Sequence, residues 1–474
     1  MTRRPDEDSS QPTLWAFLDG EAVQLPDPEE EPSPAPASTT PHSHPTRDEA
    51  LWRRAFSQYN LRRASAQVVA NHGAPGPDGM TVEELPDHLD AHWPEIRQSL
   101  DQGTYRPAPV RRVFIPKPDG RRRELGVPTA VDRVICQAIA QVLIPIFDPT
   151  FSESSFGFRP KRSQHMAVEA ARRHIADGYG WVVDLDLDSF FDRVNHDALM
   201  ARVARKVGNR ALLKLIRRYL EAGVMIDGVQ VEANEEGTPQ GSPLSPLLSN
   251  IMLDDLDKEL ERRGHRFVRY ADDVRIYVRS ERAAQRVLET VSAFVEGVLK
   301  LKVNRAKSGI ALATKRGLLG FGFLRRNGRT DIRIDYKAKT ALKGRIRGLT
   351  ARNWGISMDE RVAILNRFIG GWTAYFALAD TPSVFDEFDE WLRRRLRQVY
   401  WKQWKRPKTR ARKLRSHGIG AAQAHQWAST AKGTWRMARS VPLQRALPKA
   451  HFVSLGLVGF TASYQRVRAV WRTA

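Results

Sequence analysis

The amino-acid sequence predicts an α+β fold, and three patterns carry that expectation. Arg266 to Arg279, RFVRYADDVRIYVR, reads as strand, turn and strand: period-two alternation and β-branched residues flank Tyr270-Ala271-Asp272-Asp273. Arg111 to Val127 reads as a second hairpin, VRRVFIP and RRRELGVP around the turn KPDG. Between and after these hairpins lie long stretches of helical spacing.

Taken in order, residues 1 to 46 differ in composition from everything that follows. They hold nine prolines, nine acidic and two basic residues, which marks a disordered acidic tail of net −7. Helical periodicity begins near Arg47, with Leu51, Trp52, Ala55, Phe56 and Tyr59. A glycine and proline loop, Asn71 to Thr81, leads to a helix near Pro86 to Leu100. Val131 to Phe147 is expected to be a buried helix, and Trp181-Val182-Val183 a buried strand entering Asp184 to Asp188. Gly237 to Ile251, GTPQGSPLSPLLSNI, is an irregular loop running into an apolar helical face. A helix over about Glu281 to Leu299 follows, and from about Tyr336 to Trp404 the pattern is helical, with Phe368, Trp372, Tyr375 and Phe376 as an aromatic stripe.

The most informative chemistry is acidic. Asp272 and Asp273 are adjacent on a hairpin tip, and like charges that close oppose each other's ionisation unless positive charge compensates them. Divalent metal is the economical source, and Mg²⁺ suits a site of few carboxylates whose other positions are filled by water or phosphate. In Asp184-Leu185-Asp186-Leu187-Asp188, strand alternation puts three carboxylates on one face.

Length and charge bound the partners. A chain of 474 residues has room for two or three domains, and its net charge is +22, so residues 47–474 carry +29. Nucleic acid is the expected partner. No apolar run approaches the roughly 20 residues of a spanning helix and no signal-peptide core opens the chain, so a cytoplasmic protein without membrane contact is expected. Cys136 is the only cysteine, which excludes an intrachain disulfide and a cysteine-clustered zinc site. From Trp391 to Arg415 there are twelve Lys or Arg and no acid, a pattern that favours phosphate binding over a solvated face. Arg393, Arg394, Arg395, Arg397, Lys402, Lys405, Arg406, Lys408 and Arg410 are the candidate contacts there. Trp391, Tyr400, Trp401 and Trp404 either stack on bases or pack inward.

Together, Tyr270-Ala271-Asp272-Asp273 on a hairpin, GTPQGSPLSPLLSNI, and VVDLDLDSFFDRVNH at Val182 to His196 resemble the reverse transcriptases encoded by bacterial group II introns. The resemblance runs from about Asn71 to about Leu457. It implies a right-hand polymerase: fingers and palm over 47–337, a helical thumb or maturase domain over 338–405, and a basic nucleic-acid-binding segment over 406–474. It also implies RNA-templated DNA synthesis from deoxynucleotide triphosphates, with two Mg²⁺ ions held by Asp186, Asp272 and Asp273. Asp184 is expected to be structural, and Asp188 a neighbour that tunes the site.

By the same resemblance Lys117 and Arg123 fold over the incoming nucleotide. Phe191 excludes a ribose 2′-hydroxyl or is a core phenylalanine. Gln240 lines the nucleotide pocket and Gly241 permits close backbone approach. Arg159 contacts template or supports that pocket, and Lys307 is a general acid for pyrophosphate or a surface lysine. Leu318 to Phe323, LLGFGF, resembles a primer grip. Ser242 stands where the family usually has glycine, and Arg275 is atypical enough to suggest a counter-charge for the acidic pair.

The implied partners are intron RNA, an RNA template with a DNA primer, and target DNA, in splicing and target-primed insertion. An endonuclease domain is not expected, so the primer would come from elsewhere, such as a replication fork. Gln11-Pro12-Thr13-Leu14-Trp15 is similar to sliding-clamp-binding peptides. Two other readings stay open: a splicing maturase without polymerase activity, and a host-adopted polymerase serving defence or repair.

Overall fold

Short polar residues set the helix starts. Ser57, Thr129, Ser163, Asn195, Asn209, Ser280 and Ser357 each accept a hydrogen bond from a first-turn backbone N–H that the helix itself leaves unpaired. The computed structural model describes residues 47–116, 122–188, 190–226, 230–232 and 241–473. It divides between Ala313 and Thr314 into two compact units.

The first unit opens with α1 (Arg47–Ala55), α2 (Gln58–Ala70) and α3 (Leu85–Asp101), followed by the hairpin β1 (Val110–Pro116) and β2 (Arg122–Val127). Then come α4 (Ala130–Phe147), α5 (Gln164–Ala176), β3 (Trp181–Leu185), α6 (His196–Ala204), α7 (Arg210–Glu221), β4 (Val224–Ile226) and β5 (Gln230–Glu232). The unit closes with α8 (Ser245–Arg262), β6 (Arg266–Tyr270), β7 (Asp273–Val278), α9 (Glu281–Gly297) and β8 (Gly309–Leu312). One four-stranded sheet has the order β2-β1-β4-β5, and a second has β6-β7-β3-β8. Only the β1–β4 pairing in these sheets is parallel.

Helix α4 is the centre of this unit. Val134, Ile135, Cys136, Ala138, Ile139 and Leu143 are fully buried, and Asn60 of α2 donates to the Ala138 carbonyl at 3.0 Å. By length and composition the stretch Ala130–Thr150 could cross a membrane, contrary to the expectation that no run comes close. It is 72% buried inside the unit and carries Asp132 and Arg133, as a core helix can and a lipid-exposed one rarely does. Asp132 accepts hydrogen bonds from Tyr105, Tyr219, Thr129 and the Ala108 N–H, which knots the α3–β1 connection and α7 to the start of α4. The loop at Asn71 to Thr81 is clamped by Arg111, which donates to the Pro75 carbonyl, and by Arg133, which donates to the Ala74 carbonyl.

The second unit has the antiparallel hairpin β9 (Phe321–Arg326) and β10 (Arg329–Ile334), then α10 (Tyr336–Leu349), α11 (Met358–Phe376) and α12 (Pro382–Gln403). Shorter helices follow: α13 (Pro407–Ser416), α14 (Ala421–Ala428), α15 (Thr434–Met437), α16 (Val441–Ala446) and α17 (Lys449–Ser454), before α18 (Phe460–Thr473). The aromatic stripe of α11 is core at Trp372, Tyr375 and Phe376, and Phe368 is half-buried. Trp372 lies 4.5 Å from Phe376 and 5.6 Å from Phe460, and Phe385 stacks on Tyr464 at 4.4 Å.

The hairpin β9–β10 and the LLGFGF segment pack with the second unit: Tyr375 donates to the Leu319 carbonyl at 2.9 Å and a side chain at Gly320 would meet Phe376 at 3.2 Å. The segment over 406–474 is not a separate appendage, since α18 lays Phe460 and Tyr464 into the α11–α12 core. Asp389 of α12 accepts from the N–H groups of Phe460 and Thr461 and so caps α18.

Asp254 on α8 supplies a pH test. Burial, with Asp257 nearby, pushes its carboxyl up to about 6, and its Oδ1 has no hydrogen-bond partner among the described residues. A raised folded-state pKa means that ionisation above pH 6 opposes folding, and that this penalty fades as pH falls toward the unfolded value near 4. Asp254→Asn is therefore expected to stabilise the protein by about 1 kcal/mol at pH 8, allowing for the partial exposure of the side chain. Denaturant unfolding should show that gain in full at pH 8 and cut to about half at pH 5.

Candidate active site

Strand β3 is flanked on both sides, by β7 and β8, so its C-terminal end is fixed in two directions. Val182, Val183 and Leu185 are buried, which locks the register and hence the level at which Asp184 and Asp186 stand. Asp184 lies opposite Arg275 and Leu185 opposite Val274, so Asp186, one step beyond, reaches the level of Asp273. The Asp186 backbone is pinned: its N–H donates to Ser308 Oγ at 2.9 Å and its carbonyl accepts from the Asn304 N–H at 2.9 Å. The extended run continues through Leu187, bridged to Val303, to Asp188, whose N–H donates to the Lys302 carbonyl at 2.8 Å.

Asp272 and Asp273 stand on the β6–β7 tip, as the alternation predicts. Ala271 turns that tip in a left-handed conformation, φ +56°, that a non-glycine residue adopts only under constraint.

Positive charge from the chain itself balances these acids. Arg275 pairs with Asp184 and reaches Asp273 at 3.3 Å; Lys307 lies 3.5 Å from Asp186; Arg193 lies 3.7 Å from Asp188. The role expected for Arg275, an internal counter-charge, is the one it has. Burial, and then the charges of Asp272 and Asp186, push the Asp273 carboxyl up to about 7. Arg275 is shared with Asp184 and does not cancel that push, while the 35% of the Asp273 side chain still open to water at the cleft moderates it. Among the described residues, no three acidic or imidazole side chains already stand at metal-ligating separations. The donor set nevertheless fits a hard divalent cation in kind: Asp273 feels both Asp272 and Asp186, and all offer carboxylate oxygen.

The other expected site residues divide. Lys117 and Gln240 lie outside the described residues, and of Arg123 only the backbone is placed, in β2 opposite Ile115. Gly241 has φ +132°, and a side chain there would meet the Gly126 carbonyl oxygen at 2.4 Å, so its close approach is to β2. Phe191 is 9% exposed and packs edge-on against Phe190 in the core. Arg159 does not reach out to template. Its Nε pairs with Asp148 at 2.7 Å and its other nitrogens donate to the carbonyls of Ser152, Ser155 and Asp148, which leaves the guanidinium spent on holding its own loop.

The basic run of α12 and α13 is likewise split by burial. Arg397 is 8% exposed and donates to the Leu447 carbonyl, so it is removed from the contact set. Arg410 lies over Trp401 and donates to the Trp404 carbonyl, and Arg394 lies 3.7 Å from the ring centre of Trp435. Lys402, Lys405, Arg406 and Lys408 are exposed, and Arg393 and Arg395 are half-buried. Trp401 and Trp404 pack inward, 1% and 4% exposed, and Tyr400 lies 3.2 Å from His451 Nε2. Beside them is a cleft of about 520 Å³ that brings Arg395 and Lys402 together with Arg347, Arg352, Asn353 and Gln398. Burial, with Arg347 and Arg352 beside it, lowers the pKa of Arg395, a sign of cations gathered closely. Arg347 and Arg352 escape a search for dense charge runs; their signal is the spacing of bases along α10 and the turn after it.

The Asp184–Arg275 pair is buried on both sides, each side chain 11% exposed. Arg275→Gln is expected to destabilise the first unit by about 3 kcal/mol, because it leaves an acid in a dry site, and adding Asp184→Asn should restore most of the loss. A double-mutant cycle by chemical denaturation measures the coupling.

Comparison with known proteins agrees with this architecture. Residues 115–323 match the family described as reverse transcriptase (RNA-dependent DNA polymerase), and residues 339–418 match the group II intron maturase-specific domain. Protein YkfC of Escherichia coli is 33% identical over 290 residues, covering 53% of this chain and 76% of YkfC. The group II intron-encoded protein LtrA of Lactococcus lactis subsp. cremoris is 37% identical over 201 residues, covering 42% of this chain and 31% of LtrA. Among solved structures, a chain of a partial Cas6-RT-Cas1-Cas2 complex is similar at 26% identity and a TM-score of 0.34, over 51% of this chain and 42% of that one. Carrying a reverse transcriptase domain followed by a maturase-specific domain, in a right-hand polymerase fold with a helical second unit, the chain belongs to the group II intron-encoded reverse transcriptases and maturases.

Proposed function

We propose that this chain copies an RNA template into DNA at the end of β3 and the β6–β7 tip, with Asp186, Asp272 and Asp273 as the residues that hold two Mg²⁺ ions. The observation that carries the reading is the register: Asp186 falls at the level of Asp273, next to Asp272, with Lys307 3.5 Å from Asp186. Bound divalent ions would supply Lewis acidity toward the attacking 3′-hydroxyl and charge neutralisation for the departing pyrophosphate. Before metal and nucleotide arrive, Lys307 and Arg275 keep these acids from repelling the tip apart. Once a nucleotide is bound, Lys307 is placed to donate a proton from Nζ to the leaving group. Phe191 holds a rigid wall from the core and Gly241 keeps its backbone close to β2; the family resemblance adds Lys117, Arg123 and Gln240 as nucleotide-binding residues.

The same reading gives the second unit the task of holding intron RNA for splicing and for target-primed insertion. The cleft of Arg347, Arg352 and Lys402, braced by Arg395, has the charge and the donors for phosphodiester oxygens. The acidic tail would tether the chain to a sliding clamp through Gln11 to Trp15, a segment outside the described residues. The reactions belong to the cytoplasm, where intron RNA, target DNA and nucleotides meet.

Primer extension on poly(rA)/oligo(dT) tests the polymerase assignment. Asp272→Ala should lower incorporation at least about 100-fold, since removing a ligand to the metals strips several kcal/mol from the transition state; equal incorporation by the variant would refute the assignment. For the cleft, the double substitution Arg352→Gln with Lys402→Gln should reduce the slope of log affinity against log salt by about 1.5 in filter binding to structured RNA. An unchanged slope would remove the cleft from the RNA surface.

A further inference from the structure

We infer that Arg269, with Asp257 and Asn250, is a positioning device for the acidic tip, an inference that rests on the polymerase reading above. All three side chains are completely buried. Asn250 and Asp257 are seven residues apart on α8 and so share one face of the helix, the face turned to β6. Asp257 accepts from Arg269 Nε at 2.8 and 3.0 Å and from Nη2 at 2.6 Å, a two-pronged pairing that fixes the plane of the guanidinium. That leaves Nη1, which donates to Asn250 Oδ1 and to the Ala271 carbonyl, both at 2.9 Å.

The last of these bonds is the informative one. Ala271 carries the left-handed turn, and its carbonyl belongs to the peptide that leads into Asp272. A core ion pair that served only to join α8 to β6 would end at Asp257. Here the guanidinium reaches past its partner on α8 and grips the bend itself. Asn250 extends the grip to the other side of the tip by donating Nδ2 to the Gly157 carbonyl at 2.9 Å. Gly157 is pressed so closely against the bend that a side chain there would stand 2.3 Å from the Ala271 nitrogen. The chain before it is tied to the same strand: the Arg269 N–H donates to the Ser154 carbonyl and the Phe156 N–H donates to the Arg269 carbonyl. One guanidinium therefore sets where Asp272 and Asp273 stand relative to helix α8 and to the Phe156-Gly157-Phe158 loop. None of its atoms needs to touch substrate.

Arg269→Lys separates this role from simple stability. Lysine keeps a cation for Asp257, but a single ammonium on a flexible stem cannot hold Asp257, Asn250 and Ala271 in one plane. In the full chain, Arg269→Lys should lower kcat in primer extension about 10–100-fold with the nucleotide KM little changed, the size of loss seen when a supporting partner of a metal ligand is removed. It should also weaken Mn²⁺ binding by about tenfold, read as free ion by electron paramagnetic resonance without nucleotide or primer. Asn250→Ala tests the same tether while leaving the ion pair whole, and serves if Arg269→Lys fails to fold. Leu256→Ala, a buried residue of the same helix outside the tether, should lower Tm yet keep kcat and Mn²⁺ affinity well below its melting temperature. Native kcat and native Mn²⁺ affinity in Arg269→Lys or Asn250→Ala, or an equal loss in Leu256→Ala, would overturn the inference. A wild-type chain that neither binds Mn²⁺ nor extends a primer would instead overturn the polymerase reading.

Discussion

Crowded negative charge is the constraint around which the first unit is built. Asp184, Asp186, Asp272 and Asp273 meet where three chain segments converge, and such a group is tolerable only if cations are supplied from within the fold. Arg275 and Lys307 supply them, one from the strand beside Asp184 and one from the loop after α9. Each cation arrives because a backbone register delivers it. Arg275 is two residues past Asp273 and hence on the same face of β7, while the Ser308 and Asn304 bonds to Asp186 hold the Lys307 loop in reach.

Much of this was legible in the sequence. Alternation found both hairpins, a long apolar run found α4, and helical patterning found the stretch from Tyr336 to Trp404 that α10, α11 and α12 fill, because these patterns are direct images of a buried face. The acidic tip and the counter-charge at Arg275 could be read because both depend on residues a few positions apart. Arg159 and Arg397 could not. A guanidinium turned inward to backbone carbonyls and one turned outward to phosphate are spelled with the same residue, and only the tertiary position of Ser152, Ser155 or Leu447 separates them. The Arg269 tether is hidden for the same reason: its partners lie nineteen and twelve residues upstream, on a helix whose facing was not fixed by local pattern.

Total charge is a coarse guide to a nucleic-acid surface. Of the bases crowded along α12 and α13, those on the inner side pack over Trp401, Trp435 and Phe452 or cap carbonyls, and so act as structure. The concentration of usable charge comes instead from joining two helices. Arg347 and Arg352 around the end of α10 meet Lys402 of α12 across one cleft, an arrangement set by packing and not by run length, and Arg395 braces it by donating to Thr350 Oγ1 and to the carbonyls of Arg347 and Thr350.

The capping of α18 by Asp389 bears on the order of folding. Phe460 and Tyr464 complete a cluster whose other members, Trp372, Phe385 and Phe388, were synthesised some seventy to ninety residues earlier. Until α18 exists, those rings lack the side that Phe460 and Tyr464 cover, while the first unit, whose described residues end at Ala313, is already complete in sequence. Synthesis thus imposes a schedule in which the polymerase half matures ahead of the half that would grip RNA.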